Sequence, residues 1–138
     1  MPPSEAERAT ALDWLRRARG NLARAMQPKP PEGFWEDLCF DAQQAAEKAV
    51  KAVLLWNDIA IPYVHDIEAL LETLEGRGHR VPLEIRESDE LSRYAVETRY
   101  PGIGESVTED EYRQAVVLSQ RVVAWAETIL ATEPNPET

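Results

Sequence analysis

From Cys39 to Leu54 the chain reads CFDAQQAAEKAVKAVL. On a helix at about 100° per residue, Leu38, Cys39, Ala42, Ala45, Ala46, Ala49, Val50, Val53 and Trp56 fall on one broad face. That pattern predicts a long helix from about Trp35 to Trp56 whose middle is lined by alanine. Such small side chains let a neighbouring helix approach closely, so the chain is constrained to helix-on-helix packing. Cys39 counts here as a small apolar residue rather than a reactive thiol.

The remaining segments follow the same period. Ser4 with Glu7 forms a capping-box pattern ahead of Ala11, Trp14, Leu15, Ala18, Leu22 and Ala25, which recur at helical spacing. The stretch PKPPEG, residues 28–33, cannot continue a helix and reads as a connector. A short third helix is expected from about His65 to Leu74, with Ile67, Leu70, Leu71 and Leu74 inward and glycines ending it. A fourth is expected from Leu83 to about Thr98, with Leu91, Tyr94 and Ala95 inward. Thr108 with Glu111 opens the last helix, whose inward face includes Tyr112, Ala115, Ser119, Val122, Val123, Ala126 and Leu130. No segment alternates with period two. The expectation is an all-α, up-and-down bundle of four to five antiparallel helices over residues 1–132, with a frayed tail at 133–138.

Charge narrows the function. Fifteen basic against twenty-five acidic residues give a formal charge of −10, which opposes general binding of nucleic acid. Arg8, Arg16, Arg17, Arg19 and Arg24 make the first helix a local exception, read as a solvated face. A single cysteine, no export-type leader and no apolar run near the roughly 20 residues of a membrane span lead us to expect a cytoplasmic protein away from membranes. One cysteine and two separated histidines do not make a zinc site, so neither metal nor cofactor is expected.

Two stretches stand out as candidate sites. Opposite the apolar face of the second helix runs a stripe of Asp37, Phe40, Gln44, Glu47, Lys48 and Lys51. It reads either as a wet surface supported by a Glu47–Lys51 pair of about 0.2–0.5 kcal/mol, or as a face covered by a partner or ligand, which Phe40 favours. The second stretch is ETRYPGIGES, residues 97–106. There Tyr100 precedes a proline and should end the fourth helix, leaving Arg99 at a helix C-terminus, where it could reach a phosphate or carboxylate. A helix stop with its charge-complementing arginine explains the same residues.

CFDAQQAAEKAVKAVL, then His65 in VHDIEALL, then TRYPG, in that order within a helical chain of this size, resembles the HEPN family, the "higher eukaryotes and prokaryotes nucleotide-binding" domains. The resemblance runs from DWLRRARGNLARA in the first helix to the last helix. It implies a homodimer, a minimal nucleotidyltransferase as protein partner in a toxin–antitoxin-like pair, and nucleotide as ligand. On that basis Gln44, Lys48, Lys51, His65, Arg99 and Tyr100 are the expected ligand-binding residues. The toxin branch of the family is a metal-independent ribonuclease that uses an arginine followed four to six residues later by a histidine. Neither His65 nor His79 has such an arginine before it, and no histidine follows Arg99. A binding module without catalysis is therefore expected. The alternative is a ribonuclease in which His65 and Arg99 act together on RNA.

Overall fold

The computed structural model describes residues 3–95 and 106–132. In chain order its elements are α1 (Glu5–Ala25), α2 (Trp35–Trp56), α3 (Ile67–Gly76), α4 (Leu83–Arg86) continuing as a 3-10 helix (Glu87–Ala95), and α5 (Glu109–Ala131). Among the described residues there is no strand, as the sequence periods require.

Both capping boxes form. Ser4 Oγ accepts from Glu7 N at 3.1 Å while Glu7 Oε1 accepts from Ser4 N at 3.4 Å. At the start of α5, Thr108 Oγ1 accepts from Glu111 N at 3.1 Å and Glu111 Oε1 accepts from Thr108 N at 2.9 Å. Each box satisfies orphan donors of a first turn, which is why the sequence located these starts within a residue.

Two expected boundaries shift. His65 does not open α3: Asp66 caps it, its Oδ1 accepting from Glu68 N at 3.0 Å, and the helix begins at Ile67. Leu83 to Thr98 is not one α-helix; a single α-turn gives way to 3-10 geometry that the structure describes as far as Ala95. The physical reason lies in its polar residues. Ser88 Oγ donates to the carbonyl of Ile85, a side-chain bond that competes with regular helix. Ser92 Oγ accepts from Ile67 N at 3.1 Å and Asp89 Oδ1 accepts from Glu68 N at 3.1 Å. The segment is thus wound to serve as a cap for α3, and the tighter 3-10 turn brings both side chains to that end.

Cross-helix pairs give the directions. Asn21 meets Asp41, Lys51 lies over Trp14 and Arg8 over Trp56, so α1 and α2 run antiparallel. Arg19 meets Glu127 and Tyr112 Oη donates to Ala25 O at 2.6 Å, so α5 is antiparallel to α1. Trp35 stacks on Tyr112 with ring centroids 4.7 Å apart, and Ser119 Oγ donates to Ala42 O at 2.9 Å, so α5 runs with α2. Arg93–Glu111 and Arg121–Glu87 pairs, both 3.6 Å, set the 3-10 helix opposite to α5.

Helix α2 is the central element and packs against α1, α3, α5 and the 3-10 helix. Ala42, Ala45, Ala46, Ala49 and Ala52 of α2, together with Ala11, Ala18 and Ala25 of α1, have no accessible surface. Small residues at these crossings allow the close approach that the opening pattern demands. No described helix is long and apolar enough to cross a membrane.

Candidate functional site

The polar stripe of α2 is wet at Asp37 and closes toward its middle, with Phe40, Gln44, Lys48 and Lys51 half-buried and Glu47 buried. Glu47 is 2% exposed and Gln43 is fully buried, because α1 on one side and the α2–α3 connection on the other close over them. A buried carboxylate must be hydrogen-bonded, and Glu47 accepts three donors. Gln43 Nε2 donates to its Oε1 at 2.8 Å. Lys51 Nζ at 2.8 Å and His65 Nδ1 at 3.2 Å both reach Oε2. Gln44 Nε2 extends the chain by donating to Gln43 Oε1 at 2.8 Å. Glu47, Lys51 and Gln43 sit one helical turn apart on α2, so helix geometry alone aligns them. The Lys51 ammonium also lies 5.2 Å from the centre of the Trp14 ring, so it is held between that ring and Glu47 with its side chain 12% exposed.

A second chain of bonds runs beside the first. Lys48 Nζ donates to Asn21 Oδ1 at 2.8 Å, Asn21 Nδ2 donates to Asp41 Oδ1 at 3.0 Å, and Arg24 lies 3.6 Å from Asp41 Oδ2. Asp41 is 8% exposed and so takes part in the same buried seam between α1 and α2. Desolvation holds the Lys48 ammonium below its ordinary pKa; repulsion from Arg17 and Lys51 adds to this, and Glu47 and Asp41 oppose it. The seam therefore presents, at its half-buried rim, a lysine whose hydrogen-bond partner is a neutral amide. Arg16, Arg17 and Arg19 face outward as expected, pairing with Asp13 and Glu127, whereas Arg8 is half-buried over the Trp56 ring.

The fold on which this seam sits is that of known proteins. The HEPN domain family model matches residues 11–129. This chain belongs to the HEPN family. The crystal structure of TT1696 from Thermus thermophilus is similar at 34% identity, with a TM-score of 0.75 over 86% of this chain and 97% of that one. That of ST0689, an archaeal HEPN homologue, is similar at 27% identity, with a TM-score of 0.69 over 87% of this chain and 97% of the other. No curated protein matches the chain.

Of the residues expected to form the HEPN domain's ligand site, the structure brings Gln44, Lys51 and His65 onto one network through Glu47, and sets Lys48 alongside on Asn21. Arg99 and Tyr100 lie outside the described residues. His65 is not a helix cap but an exposed side chain, 74% accessible, anchored through one ring nitrogen. Phe40, the aromatic of the stripe, is half-buried. Sequence reasoning missed Gln43, Asp41 and Asn21; it foresaw the Glu47–Lys51 pair, which forms, but left open whether that stripe was wet or covered. The available signal was the density of alanine around α2: a helix flanked by small residues on nearly every side has little surface left for its polar positions.

Elsewhere the HEPN domain has a cavity of about 220 Å³ between the 3-10 helix and α5, lined by Glu90, Arg93, Tyr94, Glu111, Gln114 and Leu118, with Ala115 completing the wall. None of the expected site residues among the described ones lines it. Cys39 is fully buried, and burial pushes its thiol up to about 12, which makes it unreactive as expected. Among the described residues no three His, Cys, Asp or Glu side chains gather as metal ligands.

Proposed function

We propose that this HEPN domain is a homodimeric nucleotide-binding or interaction module, partner to a minimal nucleotidyltransferase in a toxin–antitoxin-like pair, and that the nucleotide's phosphate docks at the rim of the α1–α2 seam. The observation that carries the reading is Lys48. It is partly desolvated, repelled by Arg17 and Lys51, and hydrogen-bonded to neutral Asn21. An added anion would relieve that repulsion, so a phosphate is favoured where the free protein has an excess of positive charge. The acidic remainder of the chain does not oppose this, because a cleft's potential depends on the charges lining it. Lys51 lies too deep to act first, with a side chain 12% exposed. Changing it would strand Glu47, so Lys48→Ala is the cleaner probe. Titration calorimetry with pyrophosphate and AMP should show binding to the wild-type chain that Lys48→Ala weakens at least severalfold, with an unchanged helical circular-dichroism spectrum. Equal affinity would overturn the phosphate site.

One observation favours the ribonuclease reading as a second choice. Glu47 holds Nδ1 of an exposed imidazole, which fixes the ring and leaves Nε2 outside that bond. A carboxylate-oriented histidine beside a lysine is a general acid–base arrangement. Cleavage of RNA by the purified protein, lost in His65→Ala, would replace the binding module with the enzyme.

A further inference from the structure

We propose that Tyr63 is the platform on which the nucleobase of a mononucleotide stacks while its phosphate lies against His65 and Lys48 of the α1–α2 seam. This deepens the nucleotide reading above and rests on it.

The connection from α2 to α3 is pinned along its length. Asn57 Nδ2 donates to Val53 O at 2.8 Å, Asp58 turns the chain at φ 58°, and Ile59 N donates to Leu54 O at 2.9 Å with the Ile59 side chain 3% exposed. Ile61 and Val64 pack against the core on either side of the next bend. Val64 N donates to Pro62 O at 2.9 Å, closing a three-residue turn with Tyr63 at its apex. The backbone is thus held while the Tyr63 side chain is fully exposed. A ring that buries nothing gives the core no apolar stabilisation, so the fold does not account for an aromatic at this apex.

Its neighbours suggest an occupant. His65 follows two residues later, about 7 Å away at full extension, and its side chain is also exposed. His65 Nδ1 and Lys51 Nζ share one oxygen of Glu47, which ties the segment carrying Tyr63 to the seam in which Lys48 holds Asn21. An exposed aromatic two residues from an exposed imidazole, on a segment tied to a lysine-bearing seam, suits both halves of a nucleotide: every base has a face that stacks on a ring, and the phosphate takes the nitrogen donors. Tyr63 needs no hydroxyl for this role. Tyr63→Phe should therefore behave as wild type, which a structural or covalent role for the oxygen would not allow.

The test is calorimetric titration of the full chain with AMP and, separately, with pyrophosphate, for wild type, Tyr63→Ala and Tyr63→Phe. Tyr63→Ala should weaken AMP about tenfold, as loss of one stacking contact does, and leave pyrophosphate affinity unchanged; Tyr63→Phe should bind AMP normally. Equal AMP affinity in Tyr63→Ala overturns the platform while leaving the phosphate site standing. Pyrophosphate binding without AMP binding does the same. Binding of neither, or of a short RNA alone, overturns the mononucleotide ligand itself.

Discussion

The two flanks of α2 are built on opposite terms. Toward α5 the contact is apolar and tight: Ala42, Ser119, Val122, Val123 and Ala126 are buried, and one hydroxyl, Ser119 Oγ, is absorbed by the Ala42 carbonyl. Toward α1 and the α2–α3 connection the same helix buries Glu47 and Gln43 and ties Lys48, Lys51, Asn21, Asp41 and His65 into bonded chains. Alanines pack the α1–α2 flank too, Ala11, Ala18 and Ala25 of α1 among them, so close packing there does not depend on the charged network. A buried charged network is weak evidence of stability, since desolvating the ions offsets most of what their pairing gains. The contrast sets the α1–α2 flank, where the proposed ligand site lies, against an α2–α5 flank that carries no such network.

The contrast can be broken by mutation. The largest effect is expected from Glu47→Ala, which removes the acceptor of three donors and leaves the Lys51 ammonium buried without its carboxylate. A loss of about 3–5 kcal/mol in urea-unfolding free energy should follow. Ser119→Ala, which removes one buried neutral hydrogen bond on the other flank, should cost about 1 kcal/mol. If the two losses came out equal, the flanks would not differ in the way described.

The smallest effects are those of pH, and they carry opposite signs on the two sides. Cys39 and Tyr94, at the junction of α2 and the 3-10 helix, are both pushed up to about 12 by burial, from ordinary values of 9.0 and 10.0. Their folded pKa values exceed the unfolded ones, so the stability they contribute is complete below pH 9 and is lost as pH rises toward 12. Lys48 is held below its ordinary 10.5; the folded state then binds fewer protons than the unfolded one, and stability rises with pH as 10.5 is approached. Melting temperature against pH should fall less steeply above pH 9 in Cys39→Ala than in wild type. In Lys48→Met the rise below 10.5 should disappear.

Much of the fold was legible because its signals are local. The Ser4–Glu7 and Thr108–Glu111 boxes mark helix starts by bonds made within four residues, and the Ile67, Leu70, Leu71, Leu74 spacing marks an inward face that the structure buries entirely. The fourth helix was legible at its start and in its inward Leu91 and Tyr94, which are buried, but not in its geometry. Its conversion to 3-10 geometry depends on Asp89 and Ser92 reaching the first amides of α3, partners more than 20 residues away in sequence. The site was half legible. Gln44, Lys48, Lys51 and His65 were named as ligand-binding residues, yet Glu47, which joins three of them, was read only as one member of a stripe left open between solvent and a covering partner.

The amino-acid order by itself determined that this chain is helical, where its long helices begin, and that α2 must be approached closely by its neighbours, since period, caps and side-chain size are written residue by residue. Only the tertiary structure decided which side of α2 is wet. Burial of Glu47 depends on α1 and the α2–α3 connection folding over it, and the environment of a charge is set by whatever the rest of the chain packs against it.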